Sequence, residues 1–211
     1  MSAATLTVGV LALQGAFIEH IHMLNKIPEV KEAVPVRTEE QLNSIDCLII
    51  PGGESTAMAL IAERCNMLEP LRAFVQKKPT WGTCAGMIML AKEATGAKKG
   101  GQQLFNGLDV VVNRNQFGTQ KESFQTMLHL PEILGEQPFP AVFIRAPVIS
   151  QIKSDDVKIV GRLEHKHGQT EAETAVAVIQ NHLFATAFHP ELTSDNRLHQ
   201  FFVSFALKHK N

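Results

Sequence analysis

Up to Leu90 the chain alternates short, almost unbroken apolar runs with segments of helical periodicity, and this alternation restricts the fold more than any other feature of the sequence. Leu6 to Leu13 reads Leu-Thr-Val-Gly-Val-Leu-Ala-Leu, the pattern of a strand buried on both faces as parallel strands are. Gln14-Gly15 breaks the run, and Phe17, Ile18, Ile21 and Leu24 then recur at helical spacing towards Pro28. Val34-Pro35-Val36 predicts a short strand, Glu39, Glu40 and Leu42 a polar helical turn, and Cys47-Leu48-Ile49-Ile50 another buried strand. Helical periodicity returns at Ala57 to Ile61 and at Leu68 to Val75, where Pro70 is acceptable in the first turn. Such an order implies an α/β fold, an open, mostly parallel sheet flanked by helices on both faces.

Beyond Leu90 the pattern changes. Asp109 to Arg114, Ala141 to Arg145, Val157 to Val160 and Thr174 to Ile179 are strand-like with little helical pattern between them. They predict antiparallel additions to the sheet or a second small sheet. Leu183 to Phe188 is one more buried strand, and Leu198, Phe201, Phe202 and Phe205 mark a closing helix over Arg197 to Lys208. With no internal repeat and no clear linker, one domain spanning residues 1–211 is expected. Ala94 to Gln103, rich in Gly and Lys, lacks the Gly-Lys-Ser/Thr ending of a phosphate loop and is expected to be a solvated connection.

Composition narrows the function classes. With 20 basic and 21 acidic residues the formal charge is −1, so no strong field draws in nucleic acid or anionic lipid. Cys47, Cys65 and Cys84 are odd in number and contain no Cys-x-x-Cys pair, which suits a reducing compartment. The N-terminal residues lack a basic region followed by an apolar one, and no apolar run approaches the roughly 18 residues of a membrane helix. A cytoplasmic protein that binds neither nucleic acid nor membrane is expected. His20 and His22 fall on different sides of their helix and His165-Lys166-His167 lies in a polar stretch, so no metal site and no cofactor are expected.

Gly82-Thr83-Cys84-Ala85-Gly86, between an extended segment and an apolar helix, has the form of a nucleophile elbow built on cysteine. Flanking glycines permit a turn too tight for side chains, and the helix N-terminus favours a thiolate. Unpaired cysteines are more often buried and inert, so this motif by itself leaves both readings open. A thiolate nucleophile needs a base and a group to orient that base. His189-Pro190-Glu191 offers both, two residues apart on an extended chain that follows a buried strand. In isolation such a tripeptide is more often a loop histidine beside a surface acid, but catalytic groups collect at the carboxyl ends of parallel strands. The N–H of Ala85 and that of Gly53, in the Gly52-Gly53 turn after another buried strand, are candidate oxyanion donors. Ser55 or Thr56 is the expected N-cap of the helix that follows.

Taken in order, Pro51-Gly52-Gly53-Glu54-Ser55-Thr56, Gly82 to Gly86 and His189-Pro190-Glu191-Leu192 resemble the class I (triad) glutamine amidotransferases. More narrowly, Gly9 to Phe17, Arg114-Asn115-Gln116-Phe117-Gly118 and Phe143-Ile144-Arg145-Ala146-Pro147 resemble the glutaminase subunits of pyridoxal 5′-phosphate synthase. The resemblance implies hydrolysis of L-glutamine to L-glutamate and ammonia, with Cys84 forming a glutamyl thioester, His189 as acid and base, and Glu191 orienting it. It implies glutamine binding by Gly53, Glu54, Ser55, Arg114, Ile144 and Arg145, which agrees with arginine forks for a carboxylate and an acid for an ammonium. It also implies delivery of ammonia to a synthase subunit that holds the phosphate substrates, with partner contact near Gln14 and Gly15 organising the oxyanion hole. Ala16, where many bacterial relatives have an acid, departs from the pattern and bears on that contact.

Three other readings compete: the glutaminase subunit of imidazole glycerol phosphate synthase, a noncatalytic regulatory subunit of the same fold, and a cysteine peptidase-like hydrolase. The Leu-Gln-Gly-Ala and Ile-Arg-Ala-Pro segments count against the first, and an intact Cys84, His189 and Glu191 against the second. Met58, Met67, Met87 and Met89 would suit an adaptable contact surface, although core packing explains such residues more often.

Overall fold

The computed structural model describes residues 4–96, 101–114, 123–165 and 167–210. Strand β1 (Leu6–Leu11), helix α1 (Phe17–Leu24), β2 (Val30–Val36), α2 (Glu39–Asn43), β3 (Cys47–Ile50), α3 (Ser55–Arg64), α4 (Leu68–Val75), β4 (Thr80–Thr83) and α5 (Ala85–Leu90) follow in order. The second half contributes β5 (Ala91–Thr95), β6 (Leu108–Asn113), β7 (Ser123–Leu128), α6 (Pro131–Leu134), β8 (Phe139–Ile144), β9 (Val148–Ile152) and β10 (Lys158–Arg162). It closes with α7 (Glu171–Thr174), β11 (Ala175–Gln180), β12 (Leu183–Thr186), a single 3-10 turn over Pro190–Leu192, and α8 (Arg197–Lys208).

Among the described residues the main sheet has seven strands in the order β10-β11-β12-β4-β3-β1-β2. From β12 to β2 every pairing is parallel, whereas β11 and β10 join at the edge through antiparallel pairings. This is the expected α/β architecture, with the antiparallel additions where the strand-like runs of the second half predict them. The other second-half strands make a three-stranded sheet, β5-β6-β9, and a β7-β8 pair. Strands β3 and β4 are buried along their whole length, as continuous apolar runs between two helical layers should be.

Registers place the site. Ile50 pairs with Gly82, and Thr83 with Thr186, so β3, β4 and β12 end side by side. The turns after β1, β3, β4 and β12 therefore open at one edge of the sheet, carrying Gln14-Gly15, Gly52-Gly53, Cys84 and His189 in turn. Beneath that edge Trp81 is fully buried, stacked on Phe184 at 5.2 Å and tilted against Phe202 at 5.5 Å. A side chain of this size contributes about 2–3 kcal/mol by leaving water, and aromatic contact adds to it.

Several local expectations need correction. Ile18 is 51% exposed, while His20 takes its place on the buried face of α1 together with Met23 and Leu24. The cap of α3 is Glu54, whose carboxylate accepts from the N–H groups of Thr56 and Ala57, so neither Ser55 nor Thr56 fills that position. Met58, Met67, Met87 and Met89 are all buried in the core and offer no contact surface. The connection expected from Ala94 starts later, since Ala94 and Thr95 pair with Val112 and Asn113 in β5 and β6. Residues 97–100, Lys166 and the Asn115-Gln116-Phe117-Gly118 part of the motif lie outside the described residues.

Candidate active site

Cys84 occupies the junction of β4 and α5 at φ 50° and ψ −105°. A side chain in that region costs on the order of 1–3 kcal/mol and persists only where the surroundings impose it. They do so here through the neighbouring glycines. A methyl on Gly82 would overlap the carbonyl of Gly86, and one on Gly86 would overlap the carbonyl of Ile50, so both must be glycine for α5 to turn this close to β3. The Cys84 N–H donates to the carbonyl of Thr186 at 2.8 Å, which ties the elbow to β12. The three cysteines differ sharply in setting. Cys65 is exposed, burial pushes the Cys47 thiol far up, and Cys84 is 6% exposed at the sheet edge.

His189 follows β12 by a short step, and its N–H donates to the carbonyl of Val142 in β8 at 2.8 Å. The proline at the start of the 3-10 turn then swings Glu191 back beneath the ring. The His189 Nδ1 lies 2.7 Å from the Glu191 Oε1, so Nδ1–H donates to the carboxylate and Nε2 is left for the thiol. Burial opposes the imidazolium, but hydrogen bonding to Cys84 and Glu191 and their negative charge outweigh it, and the His189 pKa is pushed up to about 10. The group is suited to hold a proton opposite a thiolate and to release it to a leaving group.

The turn after β3 closes on the same point. A methyl on Gly52 would overlap the Cε1 of His189 and stand 3.4 Å from the Cβ of Cys84. Its carbonyl accepts from the Ala16 N–H at 3.0 Å, and the Gln14 side-chain oxygen accepts from the Glu54 N–H at 2.8 Å. Gln14 and Gly15 thus sit directly on the Gly52-Gly53 turn. Ala85 is the first residue of α5, a position whose N–H has no acceptor within its own helix.

Of the other expected residues, Ile144 presents its carbonyl 3.9 Å from the Cys84 sulfur. Arg145 follows at φ 42°, exposed where β8 ends. Arg114 and Glu54 meet each other, with Nη2 at 3.2 Å from Oε1. Burial works against ionisation of Glu54, but the N–H groups of Ala57 and Thr56 and the Arg114 guanidinium hold its carboxyl below the usual range. Ser55 is buried, and its hydroxyl donates to the Gln102 side chain at 3.2 Å.

Two groups beside Glu191 escape sequence reasoning. His20 of α1 and His199 of α8 are both completely buried, with His20 Nδ1 2.8 Å from His199 Nε2. Their one signal in the sequence is a histidine on the apolar face of each helix, at the spacing of Phe17 and Leu24 and of Phe202.

Against this geometry the comparisons with known proteins are informative. The family model described as the SNO glutamine amidotransferase family matches residues 10–208. The chain belongs to the SNO glutamine amidotransferase family. Among curated relatives, it is 46% identical to the pyridoxal 5′-phosphate synthase subunit PdxT of Herpetosiphon aurantiacus, across 94% of this chain and 99% of that one. It is also 46% identical to the PdxT subunit of Hyperthermus butylicus, across 94% of this chain and 96% of the relative. A crystal structure of a glutamine amidotransferase superposes with a TM-score of 0.81 at 39% identity, covering 95% of this chain and 98% of that one. The fold alone is shared with PurLQS from Thermotoga maritima, at TM-score 0.65 and 14% identity over 96% of this chain and 99% of that one. Among the described residues no helix is long and apolar enough to cross a membrane.

Proposed function

We propose that this SNO-family amidotransferase is the glutaminase subunit of a pyridoxal 5′-phosphate synthase, working as one domain in the cytoplasm. It hydrolyses L-glutamine to L-glutamate and ammonia and passes the ammonia to a synthase subunit. The observation that carries the reading is the 2.7 Å contact from His189 to Glu191 behind a cysteine held at positive φ on a strand-to-helix elbow. That arrangement supplies a nucleophile, an acid/base and an orienting carboxylate in one line.

In the proposed cycle the Cys84 thiolate attacks the side-chain amide carbon of glutamine. The carbonyl electrons move onto oxygen, for which the N–H groups of Gly53 and Ala85 are the proposed donors. Collapse expels the amine, to which His189 gives its proton, so ammonia leaves and a γ-glutamyl thioester remains. Water then attacks the thioester as His189 takes its proton, the C–S bond breaks, and glutamate departs from a restored thiolate–imidazolium pair. Glu191 stays ionised and keeps the imidazole in one tautomer throughout.

For glutamine binding we propose Gly53, Glu54, Ser55, Arg114, Ile144 and Arg145. The proximity of Ile144 to the sulfur supports its place near the reacting amide, and the Glu54–Arg114 pair is a zwitterion-like match for an ammonium and a carboxylate. Because Glu54 already caps α3, its ammonium contact would use an oxygen shared with that cap. The proposed partner contact at Gln14 and Gly15 is supported by their seat on the Gly52-Gly53 turn. Glutamate release by the purified chain, alone and with a pyridoxal phosphate synthase subunit, tests the reading. Partner-stimulated release that is absent from Cys84→Ala is expected; glutamine binding without release under either condition would overturn it.

A further inference from the structure

Glu191 uses Oε1 for His189, while its second oxygen is buried without a hydrogen-bond partner and faces Nε2 of His20 at 3.5 Å. The same Nε2 lies 3.3 Å from the hydroxyl of Thr83, the residue before the elbow cysteine. His20 reaches back through Nδ1 to His199 Nε2 at 2.8 Å, and His199 Nδ1 ends the series with no partner. Burial, and then the charges of His199 and His189, hold the His20 pKa well below its ordinary value; burial and then Lys26 bring that of His199 down to about 3. Both rings are therefore neutral, and each carries one proton.

Only one assignment of those protons avoids two penalties. If His20 carried its proton on Nδ1, its Nε2 lone pair would face a carboxylate and accept at most from the Thr83 hydroxyl. His199 would then have to accept at Nε2 and bury an N–H on Nδ1 without an acceptor, at a cost of about 1–3 kcal/mol. With the proton of His199 on Nε2 and that of His20 on Nε2, His199 donates to His20 Nδ1, and the His20 Nε2–H lies 3.3 Å from the Thr83 hydroxyl oxygen and 3.5 Å from Glu191 Oε2, its positive end turned to the carboxylate. The polarity then runs from His199 to His20 and from His20 towards the carboxylate that accepts from His189 at Oε1. Among the described residues no group of three or more His, Cys, Asp or Glu has the arrangement to hold a metal ion, so hydrogen bonding is the chemistry left to this cluster.

We infer that His20 is a positioning residue for the reaction, holding the Glu191 carboxylate by its second oxygen so that the first stays aligned with His189, while His199 fixes the tautomer of His20. The inference deepens the glutaminase reading and rests on it. His20 lies in the first turn of α1, and the residues that lead into that helix, Gln14 and Ala16, touch the proposed oxyanion turn, so one continuous segment reaches both that turn and the Glu191 carboxylate. The titratable groups facing His20 are His199 from α8, Glu191 and His189 from the segment after β12, with Lys26 beyond α1 acting on His199.

The test compares His20→Gln, His20→Asn and His20→Leu. The glutamine amide nitrogen can occupy the place of Nε2 and donate to Glu191, the asparagine amide reaches only the place of Nδ1, and leucine replaces neither. Steady-state glutamine hydrolysis with the synthase subunit is measured beside the pH profile of Cys84 alkylation by iodoacetamide, which needs no glutamine. His20→Asn and His20→Leu are expected to lower kcat by about 10-fold with KM nearly unchanged and to shift the alkylation profile, while His20→Gln stays within about 3-fold of the parent on both. His20→Gln falling as far as His20→Asn, or an unshifted alkylation profile in His20→Asn, would overturn the inference. Should His20→Leu fail to fold, the Gln and Asn pair still decides. Should the parent chain hydrolyse no glutamine, the glutaminase reading falls, and the alkylation profiles alone judge His20.

Discussion

Cys84, His189 and Glu191 each sit where a neighbouring residue leaves them little choice, and substitutions there should separate geometry from fold. Cys84→Ala is expected to abolish partner-stimulated glutamate release. Glu191→Gln keeps the shape but loses the charge and the tautomer control, and should lower kcat on the order of 1,000-fold with the unfolding midpoint reduced far less. Gly52→Ala is a subtler probe. The added methyl would overlap Cε1 of His189, and a displacement of about 1 Å at that ring should cost roughly 100-fold in kcat. A normal kcat in Gly52→Ala would show that the ring has room the structure denies it. These proposed triad residues are legible in the sequence because elbow chemistry needs small residues on both sides of the nucleophile and a base after a buried strand. His20 and His199 are not, since a histidine on an apolar helical face gives no sign of which buried carboxylate it will meet.

Among the elements, α3 and α5 carry the consequences of the turns that precede them. Glu54 satisfies two N–H groups of α3 and pairs with Arg114, so Glu54→Ala should destabilise the protein by about 1 kcal/mol, read from its urea midpoint. Glu54→Gln should recover most of that loss, since an amide oxygen still accepts. Sequence reasoning puts the cap one or two residues later because Ser and Thr are the commoner caps, whereas here the longer Glu54 side chain bends back onto the same N–H groups and also pairs with Arg114. The central strands β1, β3 and β12 are foreseeable from apolar runs, since burial on both faces leaves an unmistakable composition. Strands β5, β7 and β9 are not, because they lie in small sheets with exposed faces and alternate too briefly to be told from loops. Ile18 misleads for a related reason: five apolar residues in so short a helix outnumber the positions that face the sheet.

Across the whole molecule, the buried histidine pair ties stability to pH. Both rings are neutral when folded and take up protons when unfolded, so the unfolded state binds more protons once the pH drops below about 6.5. Each histidine should then remove about 1.4 kcal/mol per pH unit, and the pair about 3 kcal/mol between pH 6.5 and pH 5. His189 adds no slope there because its pKa is raised: its contribution is complete below about 6.5 and fades only as the pH climbs through about 10. His199→Phe should roughly halve the acid slope in urea titrations. An unchanged slope would mean that these two rings do not govern acid sensitivity.

Trp81 is the one tryptophan of a chain that has no tyrosine, and it lies three residues before the elbow cysteine with its ring 5.8 Å from His20 and 5.1 Å from His199. The molecule therefore carries a single intrinsic fluorophore, without competing phenol emission, installed beneath its own reactive centre. Because indole emission depends on what packs against the ring, changes in the light emitted by the unlabelled protein become a local reporter of the packing around the histidine pair, in solution and in real time. Partner docking or glutamine binding that moves α1 by a fraction of an ångström would register as a change in brightness or colour before any product has formed.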